Sequence, residues 1–389
     1  MKVLRVISSM DPKNGGPCQG IRNSIPEMQR VGVDNEVVSL DSPDAAFLGK
    51  DPFKIHAIGA GSGPWFYNEA LLPWLLDNLS SYSAVIIHGL WQYHGYATRK
   101  AIKQLKERGV AVPKVYVMPH GMLDPYFQRA AGRKLKAIRN VLYWKLLESH
   151  TINKSDGVLF TCQEELLLAK TTFSPYHPKE ELNVGYGIQT PPGYVKEMSD
   201  SFKALCPELS GPYVLFLSRI HEKKGVDLLI NSYVKLKATN PRIPSLVIAG
   251  PGMDSEYGKN LAQSAKGTTG IYFPGMLSGN SKWGAFYGCQ AFILPSHQEN
   301  FGIALVEAMA CGAPVMITDK VNIWREVMNN NAGLVGPDTE EGIYNLLDTW
   351  FAKTNDEILN YGEAGKTVFN KYYEISKATA NLLSVLTNA

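Results

Sequence analysis

Residues 291–317, which read AFILPSHQENFGIALVEAMACGAPVMI, predict one strand–helix–strand unit. Two short apolar runs, Ala291–Leu294 and Pro314–Ile317, flank a polar loop and an apolar helical stretch over Ile303–Ala310. Neither run alternates between apolar and polar residues, which is typical of parallel strands buried on both faces. The stretch therefore predicts an α/β fold built on a parallel sheet.

The same succession of strands and helices continues through the whole chain. The other predicted strands are Val3–Ser8, Glu36–Leu40, Ala84–His88, Val115–Met118, Gly157–Phe160, Tyr213–Leu217, Ser245–Ala249, Ile271–Phe273 and Gly333–Val335. The other predicted helices are Gly20–Arg30, Ala97–Glu107, Leu135–Glu148, Val226–Thr239 and Glu341–Phe351. We predict two Rossmann-like doubly wound domains that face each other across a cleft and bind ligands at the carboxyl ends of their strands.

Length and composition set the expected domain organisation. A chain of 389 residues, with 45% hydrophobic and 19% charged residues, is long enough for two globular domains. The stretch 183–211 is rich in proline and glycine and interrupts the succession of strands and helices. The predicted domains are therefore 1–188 and 189–371, followed by a last helix over 372–389 that packs back on the first domain.

Several common kinds of site are disfavoured by the sequence. The net charge of +3 gives no argument for nucleic-acid binding. Five scattered cysteines predict a reduced, cytoplasmic protein without a zinc site, and no apolar run is long enough to span a membrane. Residues 365–367 (GKT) lack the first glycine of a phosphate loop, and residues 250–252 (GPG) lack the third glycine of a dinucleotide site. No metal site is predicted, since H-E-x-x-H and D-x-D motifs are both missing.

Two glutamates flank the start of the helix that is predicted from Ile303. Glu299 lies in the preceding loop and Glu307 one to two turns inside the helix, so a rise of 1.5 Å per residue separates the carboxylates by about 10 Å. The backbone N–H groups of Phe301, Gly302 and Ile303 lie between them, where a helix N-terminus favours an anion. The two carboxylates can bind hydroxyl groups, and the N–H groups between them can bind a phosphate. A ligand with hydroxyls at both ends and phosphate between them is a nucleotide-sugar. Alternatively, Glu299 only caps the helix and Glu307 is a solvated helix residue.

A basic loop follows the predicted strand Tyr213–Leu217. It reads SRIHEKKG over residues 218–225, and its Arg219 and Lys224 can clamp a diphosphate through charge-assisted hydrogen bonds. The same cations can stabilise the charge of a departing diphosphate without a metal ion. A solvated basic loop is the alternative interpretation.

Together, the two-glutamate motif and the S-R-x-x-x-x-K-G loop resemble the retaining glycosyltransferases of family 4, which have the GT-B fold. The resemblance covers nearly the whole chain. It implies that Glu299 binds the hydroxyls of the donor sugar, that Glu307 binds the ribose hydroxyls, and that Met276 lies where the backbone holds the base. Asn300 stands where many members of the family have glycine, which leaves the identity of the donor sugar open.

The first domain resembles the same family at further positions. The resemblance implies that Gly15 and Gly16, after the first strand, face the donor phosphates and that His120 places an imidazole near the donor sugar. His120 lies in the sequence PHGMLDP, which resembles a branch associated with exopolysaccharide assembly. His88 and Trp91 end another strand and are candidates for acceptor binding, with Trp91 stacking on a sugar. The alternatives are an ordinary turn at the glycine pair and core positions for His120 and Trp91.

The resemblance implies an activity and a division of labour between the domains. Domain 1–188 would bind an acceptor and domain 189–371 a donor, and the enzyme would move a sugar from UDP-glucose or a similar nucleotide-sugar to a glycan or lipid-linked glycan in polysaccharide biosynthesis. The implied reaction is metal-independent and uses front-face attack without a cofactor. Its implied catalytic residues are His120, Arg219, Lys224 and Glu299.

Two other functions are compatible with the same residues. A UDP-sugar 2-epimerase would convert the nucleotide-sugar without an acceptor. A non-catalytic nucleotide-sugar-binding scaffold would bind it without transfer or hydrolysis. A pyridoxal-phosphate-dependent phosphorylase is disfavoured because 389 residues are few for that group.

The stretch from Arg129 to Lys145 predicts a basic amphipathic helix. Its basic residues are Arg129, Arg133, Lys134, Lys136, Arg139 and Lys145, and it contains no acidic residue. Its apolar residues recur at helical spacing, namely Leu135, Ile138, Leu142 and Leu146, with Tyr143 and Trp144 beside them. Such a helix can lie on an anionic bilayer, so we expect peripheral membrane contact here. Alternatively, the helix packs its apolar side on its own sheet and leaves a basic face in water.

Overall fold

The structure is a computed structural model that describes residues 1–129 and 134–387. It divides into two compact units, of which unit 1 is Met1–Gly187 with the C-terminal segment from Ile375 onward, and unit 2 is Ile188–Glu374. Each unit contains a parallel sheet with helices between successive strands. The predicted α/β class with two Rossmann-like parallel sheets is confirmed. The predicted boundary after residue 188 lies one residue from this division, and the predicted end at 371 lies three residues before Glu374.

The described part of unit 1 contains one sheet in the order β3-β2-β1-β4-β5-β6-β7. Strands β1 to β7 are Lys2–Ile7, Asp34–Ser39, Lys54–Ala57, Ala84–His88, Lys114–Met118, Gly157–Phe160 and Glu181–Asn183. Strand β1 is central, and its Leu4 and Val6 pack into one apolar cluster while Val3 packs into another. Burial on both faces explains the unbroken apolar run. The sequence analysis missed β3 and β7, which are edge strands and are short and partly polar.

Helices cover both faces of this sheet. Helices α1 to α7 are Gly16–Arg30, Leu71–Asn78, Tyr93–Glu107, Tyr126–Arg129, Lys134–Tyr143, Ser149–Lys154 and Gln163–Ala169. A π-helical stretch, Trp144–Glu148, continues α5. The C-terminal helix α16, Ile375–Thr387, packs against α1, and its Leu382 joins the same apolar cluster as Val3.

The described part of unit 2 contains one sheet in the order β10-β9-β8-β11-β12-β13. Strands β8 to β13 are Tyr213–Leu217, Ser245–Ala249, Ile271–Gly275, Ala291–Leu294, Val315–Thr318 and Gly333–Gly336. Helices α8 to α15 are Lys196–Lys203, Val226–Thr239, Glu256–Ala265, Gly279–Gly288, Ile303–Ala310, Trp324–Asn329, Glu340–Phe351 and Asn355–Val368. A second π-helical stretch, Phe369–Tyr373, follows α15.

The strand order fixes where a ligand of each sheet can bind. In unit 2 the chain moves outward from β8 through β9 to β10, and then returns to the other side of β8 at β11. The loops after β8 and β11 therefore meet at a topological switch point, where doubly wound sheets bind ligands. In unit 1 the same reversal lies between β1 and β4. Within the described residues, no helix is long and apolar enough to cross a membrane.

Candidate functional site

The loops that follow β8 and β11 are fastened to each other by close backbone contact. Gly225 has a left-handed φ of 63°, and a Cβ atom at this position would lie 2.1 Å from the carbonyl oxygen of Pro295. The N–H of His297 donates to the carbonyl of Lys223 over 2.9 Å. Only glycine fits this approach, and the contact brings the side chains of the two loops together.

Lys224 and Glu299 form an ion pair where these loops meet. Their side chains are 11% and 18% exposed, so water screens the pair only weakly. Burial opposes ionisation of Glu299, but the charge and hydrogen bond of Lys224, with the nearby charges of Lys223 and Arg219, lower its pKa. Glu299 is therefore a carboxylate at neutral pH and can only accept hydrogen bonds.

The backbone of Glu299 is held as firmly as its side chain. Its N–H donates to the carbonyl of Lys320 over 3.0 Å, and its carbonyl accepts from the N–H of Asn322 over 2.9 Å. A Cβ atom on Gly302 would lie 3.4 Å from Cγ of Glu299, so the side chain packs against the start of α12. Arg219 is exposed in the neighbouring loop and forms no ion pair with any residue that the structure describes. The structure thus brings two of the predicted catalytic groups, Lys224 and Glu299, into contact.

The glycine-rich loop after β9 supports the Arg219 loop. Gly250 has a φ of 143°, and a Cβ atom there would lie 1.8 Å from the carbonyl oxygen of Ser218. The N–H of Ile220 donates to the carbonyl of Pro251 over 2.8 Å. This short motif lacks a dinucleotide fingerprint, and its glycine instead permits close packing of two loops at the site.

Glu307 has a cationic partner that the sequence analysis missed. Its Oε1 accepts from Nζ of Lys282 on α11 over 2.8 Å, and Lys282 also lies over the ring of Trp283 at 4.0 Å. Nothing in the local sequence pairs residues that are 25 positions apart on different helices.

Met276 follows β10 directly and is 71% exposed, so it is accessible to a ligand.

The start of α12 agrees with the predicted start of a helix. Gly302 has a left-handed φ of 82°, and the helix begins at Ile303. The ring of Phe301 is buried and meets the ring of Tyr373 edge-on at 5.3 Å, so only its backbone is available to a ligand. Oδ1 of Asn300 accepts from Nδ2 of Asn322 over 3.3 Å, which ties this loop to the one after β12.

A histidine–aspartate pair lies beside these loops and was also missed. Nδ1 of His297 lies 2.6 Å from Oδ1 of Asp338, which follows β13. The hydrogen bond to Asp338 raises the pKa of His297 above its usual range, although burial opposes this. The pair links the Glu299 loop, which follows β11, to the loop after the edge strand β13.

In unit 1, His120 follows β5 in a left-handed backbone conformation with a φ of 53°. Its Nε2 lies 2.9 Å from Nδ1 of His88, which is buried at the end of β4. Burial, reinforced by the positive charge of Arg5, lowers the pKa of His120 to about 3, so the imidazole is neutral at pH 7. The N–H of Gly121 donates to Oε1 of Glu165, a buried carboxylate that the sequence analysis did not identify and that fixes this turn.

The remaining predicted residues of unit 1 lie at the carboxyl ends of β1 and β4. Gly15 has a φ of 78° and precedes α1, and the carbonyl of Gly16 accepts from the Tyr186 hydroxyl over 2.7 Å. Trp91 has a φ of 72°, and its N–H donates to Oε1 of Glu148 over 3.1 Å. Its half-buried ring packs on the core of unit 1, as the alternative interpretation of this residue expected, while His88 is buried.

Groups of three or more His, Cys, Asp or Glu side chains that could hold a metal ion are not found among the described residues.

Comparison with known proteins finds a family similarity in the second half of the chain. Residues 199–367 match the family model "Glycosyl transferases group 1". An uncharacterized glycosyltransferase of Methanocaldococcus jannaschii is 28% identical over 180 residues, which are 44% of each chain. A glycogen synthase of Mycobacterium tuberculosis is 28% identical over 133 residues, which are 34% of this chain and 32% of the relative. The chain therefore spans less than half the length of these two relatives.

The whole chain has the fold of solved GT-B structures. The crystal structure of Anabaena HepE in complex with UDP and glucose superposes with a TM-score of 0.75 at 16% identity, covering all of both chains. This likeness shows the two-sheet architecture, while the family-model match covers residues 199–367. Residues 199–367, which carry Lys224, Glu299 and Glu307, are thus the part of the chain that is similar to the Glycosyl transferases group 1 family.

Proposed function

We propose that the protein is a retaining glycosyltransferase that moves a sugar from a nucleotide-sugar to a glycan or lipid-linked glycan in polysaccharide biosynthesis. The observation that carries this proposal is the Lys224–Glu299 pair at the switch point of a group 1 domain. An ammonium and a carboxylate held side by side suit a ligand that has a diphosphate next to sugar hydroxyls. HepE, which shares the fold, was solved with UDP and glucose, and this supports UDP-glucose or a close relative as the donor.

The proposed donor roles follow from the charge and exposure of each group. The exposed Arg219 and the buried Lys224 bind the diphosphate, and the ionised Glu299 accepts hydrogen bonds from hydroxyls of the donor sugar. Glu307, oriented by Lys282, accepts from the ribose hydroxyls. Backbone groups from Asn300 to Ile303 and the exposed Met276 contact the rest of the nucleotide. In unit 1, Gly15 and Gly16 are assigned to the phosphates and the neutral His120 to the donor sugar.

The proposed reaction uses front-face attack. The acceptor hydroxyl oxygen forms a bond to the anomeric carbon while the bond from that carbon to the diphosphate oxygen breaks. The hydroxyl proton passes to the departing phosphate oxygen, so no separate base is needed. Arg219 and Lys224 stabilise the leaving negative charge, and these two cations are the reason to propose a metal-independent reaction. Trapping of a glycosyl–Glu299 adduct would refute this mechanism.

Calorimetric titration tests the donor site. UDP, GDP and ADP are titrated in EDTA into the wild-type protein, Arg219→Ala and Arg242→Ala. Arg242 is the matched control, since it is an exposed arginine just before β9, at the amino ends of the strands, whereas Arg219 follows the carboxyl end of β8. We expect selective UDP binding that weakens at least about tenfold in Arg219→Ala, because one or two charge-assisted hydrogen bonds are lost, and that is unchanged in Arg242→Ala. Binding to none of the nucleotides, or binding that needs a divalent metal, contradicts the assignment.

Turnover then separates the activities. With UDP-glucose and a panel of glycan acceptors, a transferase releases UDP and extends the acceptor with retained anomeric configuration, both of which are visible by NMR. Formation of a 2-epimer without an acceptor would identify an epimerase. UDP-glucose binding with neither transfer nor slow hydrolysis would identify a scaffold.

We further propose that α5 and the π-helical stretch Trp144–Glu148 that continues it bind an anionic membrane surface. Four apolar side chains are strongly exposed here, at 83% for Leu135, 60% for Ile138, 57% for Leu142 and 70% for Leu146. The alternative expectation, that this apolar side packs on the sheet of unit 1, is therefore wrong for these residues. Trp144 is the exception and is fully buried.

Positive charge surrounds the same exposed surface. The exposed basic residues are Arg129, Lys134, Lys136, Arg139 and Lys145, whereas Arg133 lies outside the described residues. Apolar side chains flanked by lysine and arginine suit the interface of an anionic bilayer, where the acceptor would be lipid-linked.

Vesicle flotation tests this membrane proposal. The wild-type protein is expected to float with phosphatidylcholine–phosphatidylglycerol vesicles at low salt and to dissociate as salt rises. The double variant Leu135→Ser/Leu142→Ser is expected to lose at least half of this binding, while Leu359→Ser, which changes a 67% exposed leucine of unit 2, retains it. Equal binding by all three proteins, or equal binding to pure phosphatidylcholine, would contradict the proposal.

A further inference from the structure

Unit 1 contains a cavity of about 40 Å³ on the face of its sheet that α1 and α16 cover. The residues around it include Arg5, Ser24, His88, His120, Tyr186 and Thr379. A single water needs roughly 10–15 Å³ of such space. The cavity is therefore large enough for a small ion together with one or two waters.

Arg5 places a positive charge in this cavity. It lies on the central strand β1 and is 1% exposed. Its Nε donates to Oδ1 of Asn35 over 3.1 Å, while its Nη2 has no hydrogen-bond partner among residues 1–129 and 134–387. No carboxylate in those ranges forms an ion pair with it. Burial lowers the pKa of Arg5 to about 10, which leaves the guanidinium protonated at neutral pH.

Two further polar atoms on the cavity lack partners within the described chain. These are Oγ1 of Thr379 on α16 and Nε2 of His88. Nδ1 of His88 is occupied by Nε2 of His120 at 2.9 Å, and when His120 donates there, His88 carries its proton on Nε2. Guanidinium, hydroxyl and imidazole N–H then all offer donors to the same space.

A bound negative charge would balance the buried cation and accept hydrogen bonds from the unused donors around it. A guanidinium has donors only, and a buried charge without a counter-charge is strongly unfavourable. Its neighbours Asn35, Thr379 and neutral His88 bring no such charge.

We propose that this cavity is a binding site for a small monovalent anion, of chloride or carboxylate chemistry, held by Arg5, Thr379 and His88. The cavity adjoins the proposed donor-sugar residue His120, which lines it beside His88. The anion bridges strand β1 and helix α16 and thereby fastens the C-terminal helix to unit 1. It also offsets the positive charge that acts on His88 and His120.

Thermal unfolding tests the site without any activity assay. The melting temperature is measured in sodium chloride, sodium acetate and sodium gluconate at equal ionic strength, because gluconate is a far bulkier anion than chloride or acetate. For the wild-type protein we expect a rise of about 3 °C in chloride relative to gluconate when chloride exceeds its Kd about tenfold. A rise in acetate but not in chloride would assign the site to a carboxylate.

Two variants assign the effect to the cavity. Arg5→Met keeps the length of the side chain and removes the charge, and we expect it to lose the anion dependence entirely. Thr379→Val keeps the shape and removes one donor, and we expect it to lose about half of the shift. The proposal is overturned if the three proteins respond equally, or if the wild-type protein shows no anion dependence.

Crystals of the wild-type protein grown in sodium bromide give an independent readout. The anomalous signal of bromide is expected within hydrogen-bond distance of Nη2 of Arg5. A cavity that holds only water in these crystals would contradict the proposal.

Discussion

Removing one member of the Lys224–Glu299 pair is expected to leave a buried charge without its partner. Both side chains are less than a fifth exposed, and breaking a buried pair in this way costs about 3–5 kcal/mol. Because some water reaches both groups, we expect the low end, about 3 kcal/mol, for Lys224→Met and for Glu299→Gln. The double variant has no unpaired charge, so it is expected to cost about 2 kcal/mol less than the sum of the singles.

Urea unfolding followed by circular dichroism measures these free energies as a double-mutant cycle. The Lys235–Glu340 pair of the same unit is the control, since its side chains are 61% and 36% exposed. Its single variants should cost under about 1 kcal/mol, with little coupling. If Lys224→Met and Glu299→Gln each cost no more than the control variants and are additive, the ion pair does not organise the site.

The pH dependence of the same variants supplies a second check. The pKa of Glu299 is lowered from its ordinary value of 4.5, so its ion pair stabilises the fold above that pH and the stabilisation is lost as pH falls through the lowered value. The stability difference between the wild-type protein and Glu299→Gln should therefore be constant from pH 8 to pH 5 and should shrink in more acidic solution. A difference that grows with acid would contradict this assignment.

Two further predictions concern neighbouring parts of the site. Asp338 raises the pKa of His297 above its ordinary 6.5, so this contact stabilises the fold below that pH, and the stabilisation is lost as pH rises through the higher value. His297→Gln should therefore lower the stability in urea more at pH 6 than at pH 8. An equal loss at both pH values would contradict this. Gly225→Ala should destabilise unit 2 by about 3 kcal/mol or more, since it adds a clash with Pro295 to the strain of a positive φ. Gly211→Ala, at a φ of 75° with open space around the added Cβ, should cost only about 1 kcal/mol in the same urea experiment, and equal losses would refute the packing argument.

Much of the fold could be predicted from local patterns. Strands Tyr213–Leu217 and Ser245–Ala249 and helices Val226–Thr239 and Ile303–Ala310 lie where the sequence predicted them. Continuous apolar runs reveal strands that are buried on both faces. An edge strand such as Lys54–Ala57 is not buried on both faces and needs no continuous apolar run. For this reason the sequence did not reveal the edge strands.

Helices with little apolar periodicity also escaped prediction. Helix α11, Gly279–Gly288, contains glycines that weaken any helix signal, yet it carries Lys282, the partner of Glu307. The basic stretch at Leu135 shows the opposite limit. The periodicity of its apolar residues correctly indicated a helix. The same spacing, however, fits both a helix whose apolar side faces the core and a helix whose apolar side faces water.

Local patterns of residues were enough to predict the class of sheet, the chemistry of the loops at Arg219 and Glu299, and the start of a helix after Gly302, because each of these depends on neighbouring residues. Which charges meet depends instead on the packing of distant segments. Lys224 and Glu299 lie 75 positions apart and are joined because Gly225 lets one loop approach the carbonyl of the other. The burial of Arg5 beside unused donors likewise depends on helices distant in sequence. Pairing and exposure are set by packing, which no local period encodes.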